Sequence, residues 1–184
     1  MTKLLTLSTY TRDHLEQIRP TLLDVYAVVY TEEIASDPFF SMESFEKRLA
    51  GHTSWPGWTC VVGEVDGEPV GYAYGATVPP GGWWHSLRTD VDPALTHEDG
   101  ARSFGLFEIM VRAPWRGRGI AQGIHDELVN SRPEERAVLL VDSTHPRVRA
   151  RYEEWGYSKA AQMQPALDSP LYDAMIRDLR ADPQ

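Results

Sequence analysis

Phe107-Glu108-Ile109-Met110-Val111-Arg112-Ala113-Pro114-Trp115-Arg116-Gly117-Arg118-Gly119-Ile120-Ala121 is the stretch that decides the fold. It reads as a buried strand, a proline turn, and an Arg/Gly loop that opens directly into a helix. A helix that starts this way presents bare backbone N–H groups at the positive end of its dipole. Two glycines let a bulky anion approach the main chain, and Arg116 and Arg118 add charge. The pattern points to a phosphorylated small molecule as ligand.

Outward from this junction the chain alternates strands and helices. Upstream, Leu4–Ser8 reads as a strand, and Thr11 as the cap of a helix from Arg12 to Tyr30 with Leu15, Ile18, Leu22, Val25, Tyr26 and Val29 on one face. Asp37-Pro38 breaks the chain, and Ser41 caps a second helix that ends near Gly51. Trp58–Val65 and Pro69–Thr77 flank Asp66-Gly67 as a hairpin. The polar segment from Trp83 to about Arg102 shows no period and reads as a loop with at most one helical turn. Downstream come a helix over Gly119–Ser131, a buried strand over Ala137–Ser143, a helix from His145-Pro146 to Trp155, and strands over Tyr157–Met163 and Leu171–Leu179. Antiparallel strands come first, then strand-helix-strand-helix-strand. The expected fold is therefore a mixed α/β domain over residues 1–184, with a mostly antiparallel central sheet flanked by helices.

Length and composition suit one soluble domain with a real core. The 184 residues carry a formal net charge of −9, which argues against a nucleic-acid binder. The single cysteine, Cys60, lies in the apolar run Thr59-Cys60-Val61-Val62 and reads as a buried small hydrophobe. The opening Met1-Thr2-Lys3-Leu4-Leu5-Thr6 lacks the apolar core of a signal peptide, and no segment reaches transmembrane length. A cytoplasmic protein with no membrane partner is the expectation. The histidines show no metal-ligand spacing, so no metal is expected.

The loop is not a P-loop, because the terminal Lys-Ser/Thr is missing. As a dinucleotide fingerprint it has Gly117-x-Gly119, but Gln122 stands at the third glycine. Asp142 ends the next strand at about the ~20-residue distance that such sites use, which keeps a nucleotide-dependent oxidoreductase as an alternative.

Arg116-Gly117-Arg118-Gly119-Ile120-Ala121 resembles the R-x-x-G-x-G/A motif of the GNAT superfamily of acyl-CoA N-acyltransferases, and Val111-x-x-Pro114 resembles the turn before it. His145-Pro146-Arg147-Val148-Arg149-Ala150-Arg151-Tyr152-Glu153-Glu154-Trp155-Gly156-Tyr157 is similar to the family's second signature, N-x-x-A-x-x-x-Y-x-x-x-G-F. The two motifs and the element order cover nearly the whole chain.

The resemblance implies an N-acetyltransferase that moves an acetyl group from acetyl-CoA to a primary amine by direct attack in a ternary complex. It implies a pyrophosphate on the amides of Arg116, Gly117, Arg118, Gly119, Ile120 and Ala121. The pantetheine arm would lie along the main chain of Ile109, Met110 and Val111, with an N–H near Met110 or Val111 meeting the oxyanion. Tyr152 matches the general acid, and Glu108 stands where family members carry a carboxylate facing the acceptor. His145 replaces the family asparagine, and Val148 stands at the motif's alanine. The acceptor cleft would draw on Tyr26, Tyr30, Trp83 and Trp84, although a core plug is an equal reading of the two tryptophans. The acceptor is a small-molecule or protein amine, and a homodimer is compatible with the family. A CoA-binding module of this fold without turnover is the reading outside enzymes.

Overall fold

The computed structural model describes residues 4–165 and 169–180, so Met1, Thr2 and Lys3 of the opening segment lie outside the described residues. Seven strands form one sheet in the order β1-β2-β3-β4-β5-β7-β6. They are β1 (Leu5–Thr11), β2 (Thr59–Val65), β3 (Glu68–Thr77), β4 (Ser103–Val111), β5 (Arg136–Asp142), β6 (Ser158–Met163) and β7 (Tyr172–Asp178). Only β4 and β5 run parallel, and their ladder consists of Ser103–Arg136, Phe104–Ala137 and Gly105–Val138. The other registered pairs, β1–β2, β2–β3, β5–β7 and β6–β7, are antiparallel. Between β3 and β4, Arg112 N–H donates to Val70 and Val78 N–H donates to Ser103. Numbers rise on one strand as they fall on the other, which makes that pair antiparallel as well. The mixed, mostly antiparallel sheet expected from the element order is what the structure has.

The chain packs as two compact units, residues 1–76 with 107–131, and residues 77–106 with 132–184. The first unit contains α1 (Leu15–Val29), α2 (Thr31–Ser36), α3 (Met42–Thr53) and α5 (Ile120–Val129). The expected first helix starts later than its cap suggests. Thr11 is followed by a 3-10 turn over Arg12–His14, and its N–H donates to His14 Nδ1 at 3.2 Å. α2 is absent from the sequence reading, because Tyr30 bends the chain (φ −109°, ψ 28°) without any capping side chain to announce a new helix. Ser41 does cap α3, accepting from Ser44 N–H at 3.2 Å. Asp37 accepts from Phe39 N–H and turns the chain through Pro38–Phe40.

Ile18, Leu22, Val25 and Tyr26 of α1 and Phe45 and Leu49 of α3 close over Cys60, Val62, Tyr72, Tyr74, Ala76 and Met110 of the strands. α5 covers β2 near Gly63, where any Cβ would come within 2.8 Å of Ile124. The β2–β3 hairpin turns through Asp66 (φ 53°) and Gly67 (φ 80°), the two positive angles that a tight two-residue turn needs. Cys60 is fully buried, and desolvation pushes its thiol pKa far above the usual range.

The second unit contains α4 (Pro93–Thr96), a single turn inside the polar loop, and α6 (Pro146–Glu154). Its buried ion pair joins Arg136 to Glu98 at 2.9 Å. Ser103 Oγ donates to Glu98 at 2.8 Å and accepts from Arg136 Nε at 2.7 Å, so the charges are hydrogen-bonded as well as paired. No helix among the described residues is long and apolar enough to cross a membrane.

One contact fixes β4 against β3. A Cβ at Gly71 would lie 2.4 Å from the Met110 carbonyl oxygen and 3.0 Å from Val111 Cα, both main-chain atoms that cannot rotate away. Gly71→Ala is therefore expected to lose about 1–3 kcal/mol of stability through forced strand separation. Urea unfolding checks this, with Gly51→Ala, where a Cβ meets open space, as the control.

Candidate active site

The anion loop belongs to the first unit. β4 leads into a 3-10 turn over Ala113–Trp115, then Arg116, and Gly119 begins α5. Gly117 (φ 72°) and Gly119 (φ 77°) both adopt the left-handed region. A Cβ at either would meet nothing within 4 Å. Backbone conformation, rather than crowding, thus selects glycine here, and the main chain stays open to a ligand. No side chain caps α5. The N–H groups of Ile120, Ala121 and Gln122 therefore have no acceptor within the helix. The two arginines divide their work. Arg116 Nε donates to the Val111 carbonyl at 2.9 Å and ties the loop to the end of β4. Arg118 lies over the Trp115 ring at 5.1 Å.

Upstream, Phe107, Glu108 and Ile109 are partly buried while Met110 and Val111 are buried. In an uninterrupted strand, residues three apart face opposite sides. Phe107 and Met110 nevertheless pack into the same cluster, so β4 departs from simple alternation between them. All of Ile109, Met110 and Val111 stand beyond the last pair of the parallel ladder, Gly105–Val138.

The carboxylate of Glu108 sits among aromatic and titratable groups of the same unit. Burial raises its pKa to about 7, and the Arg48 guanidinium offsets part of that rise. Glu108 in turn raises the phenols of Tyr72 and Tyr74, whose main cause of elevation is their own burial. His52 stacks on Phe107 with ring centroids 4.1 Å apart and planes within 4°. Its Nδ1 lies 3.2 Å from the Tyr74 hydroxyl. Desolvation, helped by Arg48, lowers the His52 pKa to about 4, so the ring is neutral at ordinary pH. Tyr72 is fully buried, and its hydroxyl has no hydrogen-bond partner among the described residues.

Tyr26, expected in the acceptor cleft, is a core residue with a polar tip. Its ring stacks on Phe45 at 3.8 Å, and its hydroxyl donates to the Phe39–Phe40 segment at the Phe40 carbonyl. Tyr30 lies 4.8 Å from Tyr26 and 5.1 Å from Phe40, partly exposed. Arg48, His52, Tyr72 and Tyr74 were not singled out from the sequence. Their signal was available in spacing: Arg48 and His52 share a face of α3 at i, i+4, and Tyr72-x-Tyr74 alternates onto one face of β3.

The second unit holds the other expected residues. Tyr152 lies on α6, partly buried, edge-on to Trp155 at 5.6 Å and to Tyr157 at 5.8 Å. Gly156 (φ 88°) ends that helix, and Tyr157 N–H returns to the Tyr152 carbonyl at 3.0 Å. His145 occupies the N-cap of α6 without bonding through its side chain to the helix. Its Nδ1 lies 3.4 Å from Asp142 Oδ2. Asp142 Oδ1 accepts from Thr144 N–H and Oγ–H at 2.8 and 2.7 Å. Burial raises the Asp142 pKa, but these bonds outweigh it and hold the pKa low. The carboxylate is thus spent on its own loop rather than presented to a nucleotide ribose. Trp83 and Trp84 pack against Ala161, Met163 and Ala174, and Trp84 Nε1 donates to Glu98 at 2.7 Å. That is the plug reading of the pair, in a different unit from Tyr26 and Tyr30.

Fold and loop together define the scaffold of a CoA-dependent acyltransferase. Residues 22–157 match the acetyltransferase (GNAT) family, and the chain belongs to that family. It is an acyltransferase whose donor is acetyl-CoA, which removes the oxidoreductase alternative. Similar solved structures include an acetyltransferase from Thermus thermophilus (TM-score 0.65, 16% identity, 97% of this chain and 100% of that one). The ribosomal-protein-S18-alanine N-acetyltransferase of Escherichia coli has a TM-score of 0.62 at 14% identity, with 98% and 97% covered. The PaiA N-acetyltransferase of Thermoplasma acidophilum, solved with coenzyme A, has a TM-score of 0.55 at 11% identity, with 97% and 99% covered. No curated protein matches the sequence.

The two perturbed groups act on stability from opposite sides. Glu108, raised from 4.5 to about 7, resists ionisation in the folded state, so stability falls as pH rises between these values. His52, lowered from 6.5 to about 4, resists protonation, so stability falls as pH drops between those values. Histidine NMR is expected to show His52 neutral down to pH 5. Denaturation at pH 9 is expected to find Glu108→Gln about 2–3 kcal/mol less penalised than wild type, relative to pH 4.5.

Proposed function

We propose that the protein is an N-acetyltransferase that transfers the acetyl group of acetyl-CoA directly to a primary amine within a ternary complex. The observation that carries this reading is Glu108, a carboxylate with a pKa of about 7 in an aromatic setting, on the strand that leads into the anion loop. An alkylammonium must lose a proton before its nitrogen can attack, and a group with a pKa near the working pH is suited to take it.

The chemistry then runs in one sequence. The loop amides from Arg116 to Ala121 and the start of α5 hold the pyrophosphate, for which the open main chain at Gly117 and Gly119 is suited. The backbone of Ile109, Met110 and Val111 pairs with the pantetheine arm. Glu108 takes the proton of the acceptor ammonium, directly or through water, and the amine nitrogen attacks the thioester carbon. A main-chain N–H of Met110 or Val111 receives the oxyanion. As the C–S bond breaks, Tyr152 gives its proton to the thiolate, and the second proton shed by the nitrogen as the amide forms passes to solvent, from which the tyrosinate is reprotonated. Tyr152 takes this role from its place in the family motif. His145 stands at the motif's asparagine, with its Nδ1 3.4 Å from Asp142 Oδ2.

Release of CoA in the presence of an amine tests the assignment. Glu108→Gln is expected to lower kcat by about 10²–10⁴ and to remove from the pH dependence of kcat/KM the step expected near pH 7. Tyr152→Phe is expected to lower kcat while the affinity for CoA is kept. Unchanged turnover in both variants would overturn the roles given to these two residues.

A further inference from the structure

We infer that the acceptor is an amino-carboxylate, a small molecule that bears a carboxylate as well as the amine, and that Arg48 is the residue that selects it. The inference rests on the acetyltransferase reading, in which Glu108 receives the amine.

Arg48 sits on α3 with its guanidinium held from three sides. Nη1 donates to the Phe39 carbonyl at 2.7 Å and Nη2 to the Tyr26 hydroxyl at 3.1 Å. The Phe39 ring lies 4.4 Å from its central carbon. Its partners are a carbonyl, a phenol and aromatic faces, all neutral. Among the described residues no carboxylate lies within ion-pair distance of it, whereas the partly buried Arg19, Arg102, Arg112, Arg132 and Arg149 each meet Asp or Glu. A guanidinium has five N–H donors in a planar fork, and the two bonds above leave three for a ligand. The side chain stays partly exposed. Its charge reaches Glu108, His52, Tyr26 and Tyr74, which places it in the same cluster as the proposed base.

A fixed, half-buried cation beside the base repels a ligand that brings only positive charge. A polyamine is therefore poorly matched to this cluster. A zwitterion suits it: the carboxylate takes the open edge of the Arg48 fork, where two parallel bonds form, and the ammonium goes to Glu108. Tyr30 packs on Phe40 and on Tyr26, the phenol partner of the fork, and these rings would take the remainder of the molecule.

Calorimetric binding to the CoA-loaded protein tests this without requiring turnover. The probes are α-, β- and ω-amino acids, each matched with the amine that lacks its carboxylate, for example phenylalanine with phenethylamine. At least one amino acid is expected to bind about 10- to 100-fold more tightly than its matched amine. Arg48→Met is expected to abolish that difference, Arg48→Lys to restore part of it, and both to keep CoA affinity, which controls for folding. Equal or tighter binding of the matched amines, or a difference that survives in Arg48→Met, overturns the inference. So does tighter binding of a peptide amine whose carboxylate lies residues away. Carboxylate-dependent binding without thiol release supports the selection by Arg48 and counts against the acetyl-transfer reading alone.

Discussion

The close approach of β3 and β4 at Gly71 is the constraint on which the functional half of the protein depends. Only a residue without a side chain lets the Met110 carbonyl come so near. That contact fixes the position of β4 just where the strand stops alternating, so Glu108 joins the aromatic cluster under α1 and α3 while Val111 accepts from Arg116. Strand position and loop anchoring are two ends of the same geometry. A donor-holding loop placed by a strand is more rigid than one placed by loop contacts alone.

Within that geometry the electrostatics are set by scarcity. Glu108 has one cation acting on it, and that cation is held by neutral groups rather than paired. Burial therefore dominates the carboxylate, and the same burial keeps His52 neutral. Neutral His52 and the high-pKa phenols of Tyr72 and Tyr74 cannot compete for charge near neutrality. Ionisation in this cluster is thus concentrated on a single oxygen pair. The second unit pairs its buried charge instead, with Arg136, Ser103 and Trp84 all donating to one oxygen of Glu98. Such a cluster of charge-assisted bonds holds its members in one arrangement.

What could be read from the sequence was local. Asp66-Gly67 forced a hairpin, Ser41 capped a helix, and Gly117-x-Gly119 opened another, because each signal is written in the residues that form the feature. The family resemblance added the family fold and the donor. What escaped was created by folding. α2 begins at a bend that no capping residue marks. Arg48 and His52 look like an ordinary solvated edge of α3 until a distant strand brings Glu108 to them. The paired tryptophans could be read as cleft lining or as core plug, because the residues they pack on, in β6 and β7, come long after them in the chain.

The burial of Cys60 has a practical side. The one thiol of the chain lies on β2, inside the core and protonated far beyond neutral pH. A thiolate is the reactive form, so the folded protein is silent toward disulfide reagents that would register released coenzyme. Labelling appears only when β2 leaves the sheet. The cysteine is thereby an internal gauge of how often the core opens, readable by mass on an otherwise unmodified chain.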